Sequence, residues 1–271
     1  MFVGYPLLKT LYFSFTNSNL GNLDHPVWIG VDNYIFLIHD PDWWRSVSNT
    51  FFFMATSLCF EAVFGLIVAL ILKSQLRGRL IIRSSILIPW AIPAVVSARM
   101  WSWILNDSYG VLNELLLQLG IIQTQIAWTA NEHWTLFVLV FVDVWKNTPF
   151  MALVIFSGLQ SIPESIYEAS RVDGATYWEE FFFITLPLLK PALLVGVLFR
   201  ALDALRIFDL PFVLTSNSKS TQVLSTYTRQ QLIDFQEIGY GSSASFFIFC
   251  LTALFSICFI FFGKDQLGLK D

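Results

Sequence analysis

Several ionisable residues lie inside stretches that are otherwise apolar, among them Glu61, Arg99, Asp143, Lys146, Arg200, Asp203, Arg206 and Asp209. A charge in such a setting is costly unless it pairs internally or faces a water-filled path, so each marks an ion pair or contact with a passing solute or ion. Asp143 and Lys146 stand three apart, which makes them helix neighbours and predicts an internal pair. Arg200, Asp203, Arg206 and Asp209 recur every three residues. Three residues of α-helix fall about 60° short of a full turn, so this series winds round its helix and cannot all face one wall. Asp203 and Arg206 are expected nearest a translocation path, together with Asp209, Trp145 and Asn147.

Catalytic chemistry is not spelled out anywhere. No Gly-x-x-x-x-Gly-Lys-Ser/Thr cradle is present, so ATP is not expected to bind to this chain. Gly-x-Ser-x-Gly, His-Glu-x-x-His and zinc-ligand spacings are missing as well, and His25, His39 and His133 fall in loops far apart. Cys59, Cys250 and Cys258 lie in apolar runs and are expected as buried thiols acting as small hydrophobes. There is no strong internal repeat of the kind that secondary transporters carry.

The elements that must position these charges follow from composition. Of 271 residues, 55% are apolar and only 13% charged, with 27 Phe, and this takes the chain outside the soluble globular range. The mean hydropathy of +0.62 agrees. A membrane span needs about 20 mainly apolar residues. Runs near Ser48 to Leu72, Leu80 to Leu105, Trp134 to Leu159, Leu188 to Leu210 and Ser243 to Phe262 meet that length. Phe2 to Phe15 is a shorter sixth, which points to a start that is truncated or misassigned; neither a basic region before it nor a small-residue site after it marks a cleaved signal. The expected architecture is all-α and polytopic, with about six transmembrane helices in one permease domain over 1–271.

Orientation follows from the cations. Lys73, Arg77, Arg79 and Arg83 crowd one connection, whereas 106–133 contains no Lys or Arg, so the first is expected in the cytoplasm and the second outside. Alternation then places Ser161 to Pro187 in the cytoplasm, with Lys264 and Lys270. The net charge of −4 carries no excess of cations for nucleic acid.

Ser161 to Pro187 reads locally as two short helices joined by a turn. Ser161 with Glu164 has capping-box spacing, Pro163 suits an opening turn, and Gly174 suits a left-handed terminator. Thr176 and Glu179 repeat the box for a second helix reaching Thr185, Leu186 and Pro187. Two capped helices in so short a loop would make a preformed knob.

The same stretch carries a family resemblance. Glu168, Ala169 and Ser170, then Asp173 and Gly174, then Ile184, Leu186 and Pro187 are spaced like the EAA loop of binding-protein-dependent ABC importer permeases, with Ser170 replacing the usual second alanine. Phe208, Asp209, Leu214 and Thr215, and later Tyr227, Phe235, Gly239, Tyr240, Gly241 and Ala244, resemble the sugar permeases of that family. Ser216, Asn217 and Ser218 stand where those permeases have Gly-Gly-Pro. Gly30, Val31, Asp32, Asn33 and Tyr34 are similar to their first-loop signature; Trp43 and Trp44 fit either that pattern or an interfacial anchor.

The resemblance implies a type I ABC importer permease fold of the maltose and glycerol-phosphate kind, with 161–187 as a cytoplasmic coupling helix that meets an ATPase subunit. It implies a non-catalytic subunit in the bacterial inner membrane. The expected partners are a second related permease, two ATPases carrying the ATP and Mg, and an external solute-binding protein. A neutral sugar, glycoside or polyol is the expected solute, with a phosphorylated polyol second, since outer loops offer few cations beyond Arg45, Lys219 and Arg229. An ion-coupled carrier using Glu61, Asp143 or Asp203, or a polytopic membrane enzyme, are the alternatives from other classes.

Overall fold

The structure is a computed structural model, and it describes residues 4–74, 79–131, 134–216 and 218–263. Arg77, His133, Asn217, Lys264 and Lys270 lie outside the described residues, as do the side chains of Arg79 and Arg83. Among the described residues the regular elements are all helices, apart from one isolated bridge between Thr16 and Trp28.

In order, the helices are α1 (Gly4–Ser14), α2 (Asp32–His39), α3 (Pro41–Lys73), α4 (Arg79–Ala91), α5 (Ala94–Ile104), α6 (Val111–Gln118) and α7 (Thr135–Gln160). After these come α8 (Glu164–Val172), α9 (Tyr177–Glu179), a π-helical stretch (Glu180–Thr185), α10 (Leu186–Leu205), α11 (Asp209–Leu214), α12 (Leu224–Arg229), a second π stretch (Gln230–Asp234) and α13 (Ile238–Gly263). Among the described residues, four helices are long and apolar enough to cross a membrane: Pro41–Lys73, Thr135–Gln160, Tyr177–Leu205 and Ile238–Phe261.

The fold class is therefore as expected, but the count of membrane-length helices is four rather than six. The run from Leu80 to Leu105 breaks at Ile92 and Pro93 into α4 and α5. Pro93 brings no N–H to an i−4 carbonyl and disfavours helical backbone at Ile92, which explains the break. The eleven residues of α1 extend only about 17 Å at 1.5 Å per residue. The run expected to reach Leu210 also stops early, since α10 ends at Leu205 and α11 begins at Asp209.

The chain divides into two compact units. The first comprises Met1–Met54, Ala94–Val140 and Leu202–Ser256. Its core gathers Leu37, Trp43, Leu224, Tyr227 and Ala244, with Trp43 edge-on to Tyr227 and to Phe247 at 5.4 and 5.3 Å between ring centres. Trp43 is thus a core residue, while its neighbour Trp44 is exposed and its indole N–H donates to the Ile38 carbonyl. Asn33 is buried and spends both amide hydrogens on the Ser14 and Thr16 carbonyls, which seals the end of α1 against α2.

The second unit comprises Ala55–Pro93, Phe141–Ala201 and Ile257–Asp271. Its core is Ala69, Met151, Ile155, Leu159, Ile162, Tyr167 and Leu189. Small residues let the helices close on one another: a Cβ built at Gly65 or Gly196 would fall 2.7 or 2.8 Å from the Met151 side chain, and one at Gly158 would fall 2.5 Å from Ala192. Close approach of this kind is what holds helices in lipid, where burying apolar surface between them gains little. Cys59, Cys250 and Cys258 are free and exposed on α3 and α13, not buried as expected, because each falls on an outward stripe of its helix.

Candidate functional site

The hairpin over 161–187 is built within the second unit. The expected box between Ser161 and Glu164 does not form. Because α7 runs through Gln160, Ser161 completes its last turn, donating its hydroxyl to the Gly158 carbonyl at 2.8 Å, and Pro163 takes the position before α8. The other end of α8 is terminated as the sequence predicts. Gly174 has φ +84°, and the amides of Gly174 and Ala175 donate to the carbonyls of Arg171 and Ser170 at 3.1 and 3.0 Å. That is the pair of hydrogen bonds of a Schellman terminator, with the glycine at the left-handed position.

Thr176 and Glu179 form the expected capping box. The Thr176 amide donates to Glu179 Oε2 at 2.7 Å, and the Glu179 amide donates to Thr176 Oγ1 at 3.4 Å. The helix that this box opens is not the separate short one expected. The chain continues without a break from α9 through the π stretch into α10, so hairpin and span share one rod. Pro187 accounts for the widened turn: its ring crowds the carbonyl four residues back and supplies no N–H, while the Leu186 amide reaches back five residues to the Phe181 carbonyl.

Tyr167 and Ser170 turn inward from α8, whereas Glu168, Ala169, Asp173 and Gly174 are exposed. Tyr167 Oη lies 3.1 Å from Thr185 Oγ1, and Ser170 Oγ donates to Glu180 Oε1 at 3.2 Å. Arg171 Nε meets the same carboxylate at 3.1 Å, and the Lys73 ammonium lies 4.0 Å from the centre of the Tyr167 ring. Ile184 packs on the core of this unit, Leu186 is half-buried and Pro187 exposed. Sequence reasoning missed Tyr167, Arg171, Glu180, Thr185 and Lys73 as the residues that lock the hairpin. The three-residue spacing of Tyr167 and Ser170 was the available signal for an inward face.

The hairpin's outer surface is unusually apolar for a loop. Val172, Tyr177, Trp178 and Phe183 are each more than two-thirds exposed, beside the carboxylates of Glu164, Glu168 and Asp173.

A second constellation lies deeper in the same unit. Arg200 of α10 donates to Glu61 of α3 at 2.7 and 2.8 Å and to Asp143 of α7 at 2.9 Å. All three side chains are nearly inaccessible, at 6%, 0% and 5% exposure. The pair expected between Asp143 and Lys146 is therefore replaced. Asp143 faces Arg200 and accepts from Asn147 Nδ2 at 2.8 Å, while Lys146 donates to the Ile92 carbonyl at 2.7 Å, where α4 has just ended.

Of the residues expected along a path, Trp145 and Asn147 are half-buried in the second unit, and Asn147 serves the ion cluster. Asp203, Arg206 and Asp209 belong to the first unit and are exposed. Arg206 follows the last residue of α10 and its Nε donates to the Leu202 carbonyl at 3.2 Å, and Asp209 opens α11, so the three-residue series is cut by the end of a helix. Arg99 is exposed on α5.

An apolar polytopic chain with a terminated, inward-bonded hairpin invites comparison with known transport proteins. The profile of the family described as "Binding-protein-dependent transport system inner membrane component" matches residues 61–264. The chain belongs to that family. This permease is 36% identical to the trehalose/maltose transport system permease protein MalF of Thermococcus litoralis over 265 residues, covering 97% of this chain and 89% of the relative. It is 35% identical to the sulfoquinovosyl glycerol transport system permease protein SmoG of Agrobacterium fabrum, covering 94% and 84%. Among solved structures, the permease fold matches a bacterial ABC transporter involved in import of the acidic polysaccharide alginate. The TM-score is 0.85 at 22% identity, over 98% of this chain and 90% of that one. The permease is thus a multi-pass membrane subunit of a binding-protein-dependent transport system, and of the three carboxylates weighed for an ion site Glu61 and Asp143 are engaged with Arg200, while Asp203 is exposed.

Proposed function

We propose that this chain is the permease subunit of an ABC importer that passes a sugar, glycoside or polyol across the bacterial inner membrane, and that 161–187 is its cytoplasmic coupling hairpin. The observation that carries the coupling reading is the hairpin's construction: a glycine terminator, a capping box and inward bonds fix its shape, while its apolar and acidic outer surface is left uncovered. A rigid helical projection with such a surface fits a groove on a soluble partner and passes on displacement better than a loose loop. Glu168 supplies a charged contact, Ala169 and Ser170 keep the helix slim, and Gly174 sets the angle to the following rod. Asp173, Ile184, Leu186 and Pro187 complete the coupling segment.

The saccharide class is supported by relatives whose names specify trehalose, maltose and sulfoquinovosyl glycerol. Asp203, Arg206, Asp209, Trp145 and Asn147 are the proposed contacts along the solute's route. The complete importer would contain a second related permease, two ATPases that hold ATP and Mg, and an external solute-binding protein. The cation-rich connection after Lys73 supports the inward orientation of the hairpin.

The test is purification of the tagged chain from its own cells, followed by reconstitution. An ATPase and a second permease should copurify, and uptake should require ATP and the binding protein. Uptake driven by the chain alone, or labelling of Gly174→Cys from the outer face, would overturn the proposal.

A further inference from the structure

We infer that the Glu61–Arg200–Asp143 cluster is a positioning joint that keeps α3, α7 and α10 in one register, so that displacement of the hairpin is carried into the membrane by three helices moving together. The inference rests on the coupling reading of the hairpin.

The geometry has three levels, all within the second unit. At the first, one guanidinium forks to carboxylates on two different helices, with bonds of 2.7 to 2.9 Å. Sliding either partner by one helical turn, about 5.4 Å, would carry these bonds out of range. At the second, Gly65 of α3 and Gly196 of α10 both close on Met151 of α7. At the third, Lys73 at the end of α3 lies over Tyr167, and Tyr167, Ser170 and Arg171 bond to Thr185 and Glu180 on the rod that becomes α10. Arg200 stands about 30 Å along that rod from Glu180.

The need for such a joint is specific to lipid. Lipid tails are as apolar as leucine side chains, so apolar contact alone gives helices little preference for one register. A bidentate cluster tying three helices supplies that preference, and its burial forbids the alternative of solvating each charge separately. Among the described residues, Asn147 bonds Asp143, Ser57 of α3 faces the same carboxylate, and Lys146 on α7 is held by the Ile92 and Trp90 carbonyls.

The test uses the complete importer with its ATPases and binding protein in lipid. Cys59, Cys250 and Cys258 are replaced by alanine, and spin labels are placed at Phe64→Cys and Phe199→Cys, both exposed on α3 and α10. Their separation should change by less than about 2 Å between the nucleotide-free and ATP-trapped states. A change near a one-turn slip, about 5 Å, would overturn the proposal.

A second arm replaces the cluster by apolar residues, Glu61→Leu with Asp143→Leu and Arg200→Met, which leaves no buried charge unpaired. Solute moved per ATP should fall at least tenfold while the KM for ATP, a property of the partner subunits, stays put. Unchanged coupling in that variant would also overturn the joint, and if the variant does not accumulate, the spin-label distance decides. Absence of any ATPase from the unmodified complex would instead defeat the coupling reading.

Discussion

Arg171 and Glu180 meet at 3.1 Å across the turn made by Gly174, and the two partners are unequally placed: the arginine is 54% exposed and the carboxylate 8%. The exposed arginine's own contribution is screened by solvent. The buried carboxylate also accepts from Ser170, whose hydroxyl bonds the Tyr167 carbonyl on its own helix as well, so removing the carboxylate cuts both ties across the turn, from Ser170 and from Arg171. Glu180→Ala should therefore reduce solute moved per ATP several-fold, while Arg171→Ala stays within about twofold of wild type. The measurement is the ratio of uptake to ATP hydrolysis in proteoliposomes, and the reverse ranking would contradict this account of the hairpin.

Gly174 makes a backbone prediction free of packing effects. No atom lies within 4 Å of a Cβ built there, so any penalty comes from φ +84° alone. Gly174→Val opposes a left-handed backbone and should cost about 1–2 kcal/mol locally. The altered angle should uncouple ATP hydrolysis from uptake while the subunit still reaches the membrane. Gly174→Asn, which tolerates that region, should keep most coupling. Equal loss with both residues, or normal uptake with valine, would remove the conformational argument.

These two positions show what the sequence made legible. Gly174, Thr176 and Glu179 were readable because each acts on backbone within five residues of itself, and local rules suffice. Glu61 and Arg200 were visible as costly charges, but their partnership joins positions 139 apart, which no periodicity reveals. The Asp143–Lys146 expectation failed because a neighbour on the same helix lost to a fork-shaped donor from another helix. The break at Pro93 was available in principle; continuous hydropathy masked it, since apolar composition marks depth in the membrane and not helical continuity.

The glycines around Met151 predict an ordered pair of effects on stability. At Gly196 the nearest atom is Met151 Sδ, the flexible part of its side chain, at 2.8 Å. At Gly65 the contacts are Met151 Cγ at 2.7 Å, Cβ at 3.0 Å and the Ala152 backbone nitrogen at 3.2 Å, which are far less able to move. Gly65→Ala should thus cost about 1–3 kcal/mol through overpacking, and Gly196→Ala distinctly less. Thermal denaturation of the detergent-purified complex checks this by the order of the two Tm values. A larger drop for Gly196→Ala would mean that α7 yields on its backbone side rather than at the thioether.

Tyr227 joins parts of the first unit that are distant in sequence: its hydroxyl donates to Asp40 Oδ2, and Tyr240 Oη lies 2.8 Å away. Burial, first, and then the adjacent Asp40 carboxylate push the Tyr227 phenol well above its ordinary value of 10.0. An acid whose folded value is raised is held in its neutral form by the fold. The stability it contributes is complete below the unfolded value near 10 and is lost as pH rises from there toward the folded value. Tyr227→Phe removes the donor and should cost about 1–3 kcal/mol at neutral pH, because Asp40 Oδ2 then keeps the longer 3.2 Å bond from Tyr240, while Oδ1 stays on the Asp42 amide. Wild type should lose stability between pH 10 and 11 more steeply than the variant, as read from denaturation midpoints at each pH. Parallel curves for the two proteins would show that Tyr227 does not hold its proton through the folded state.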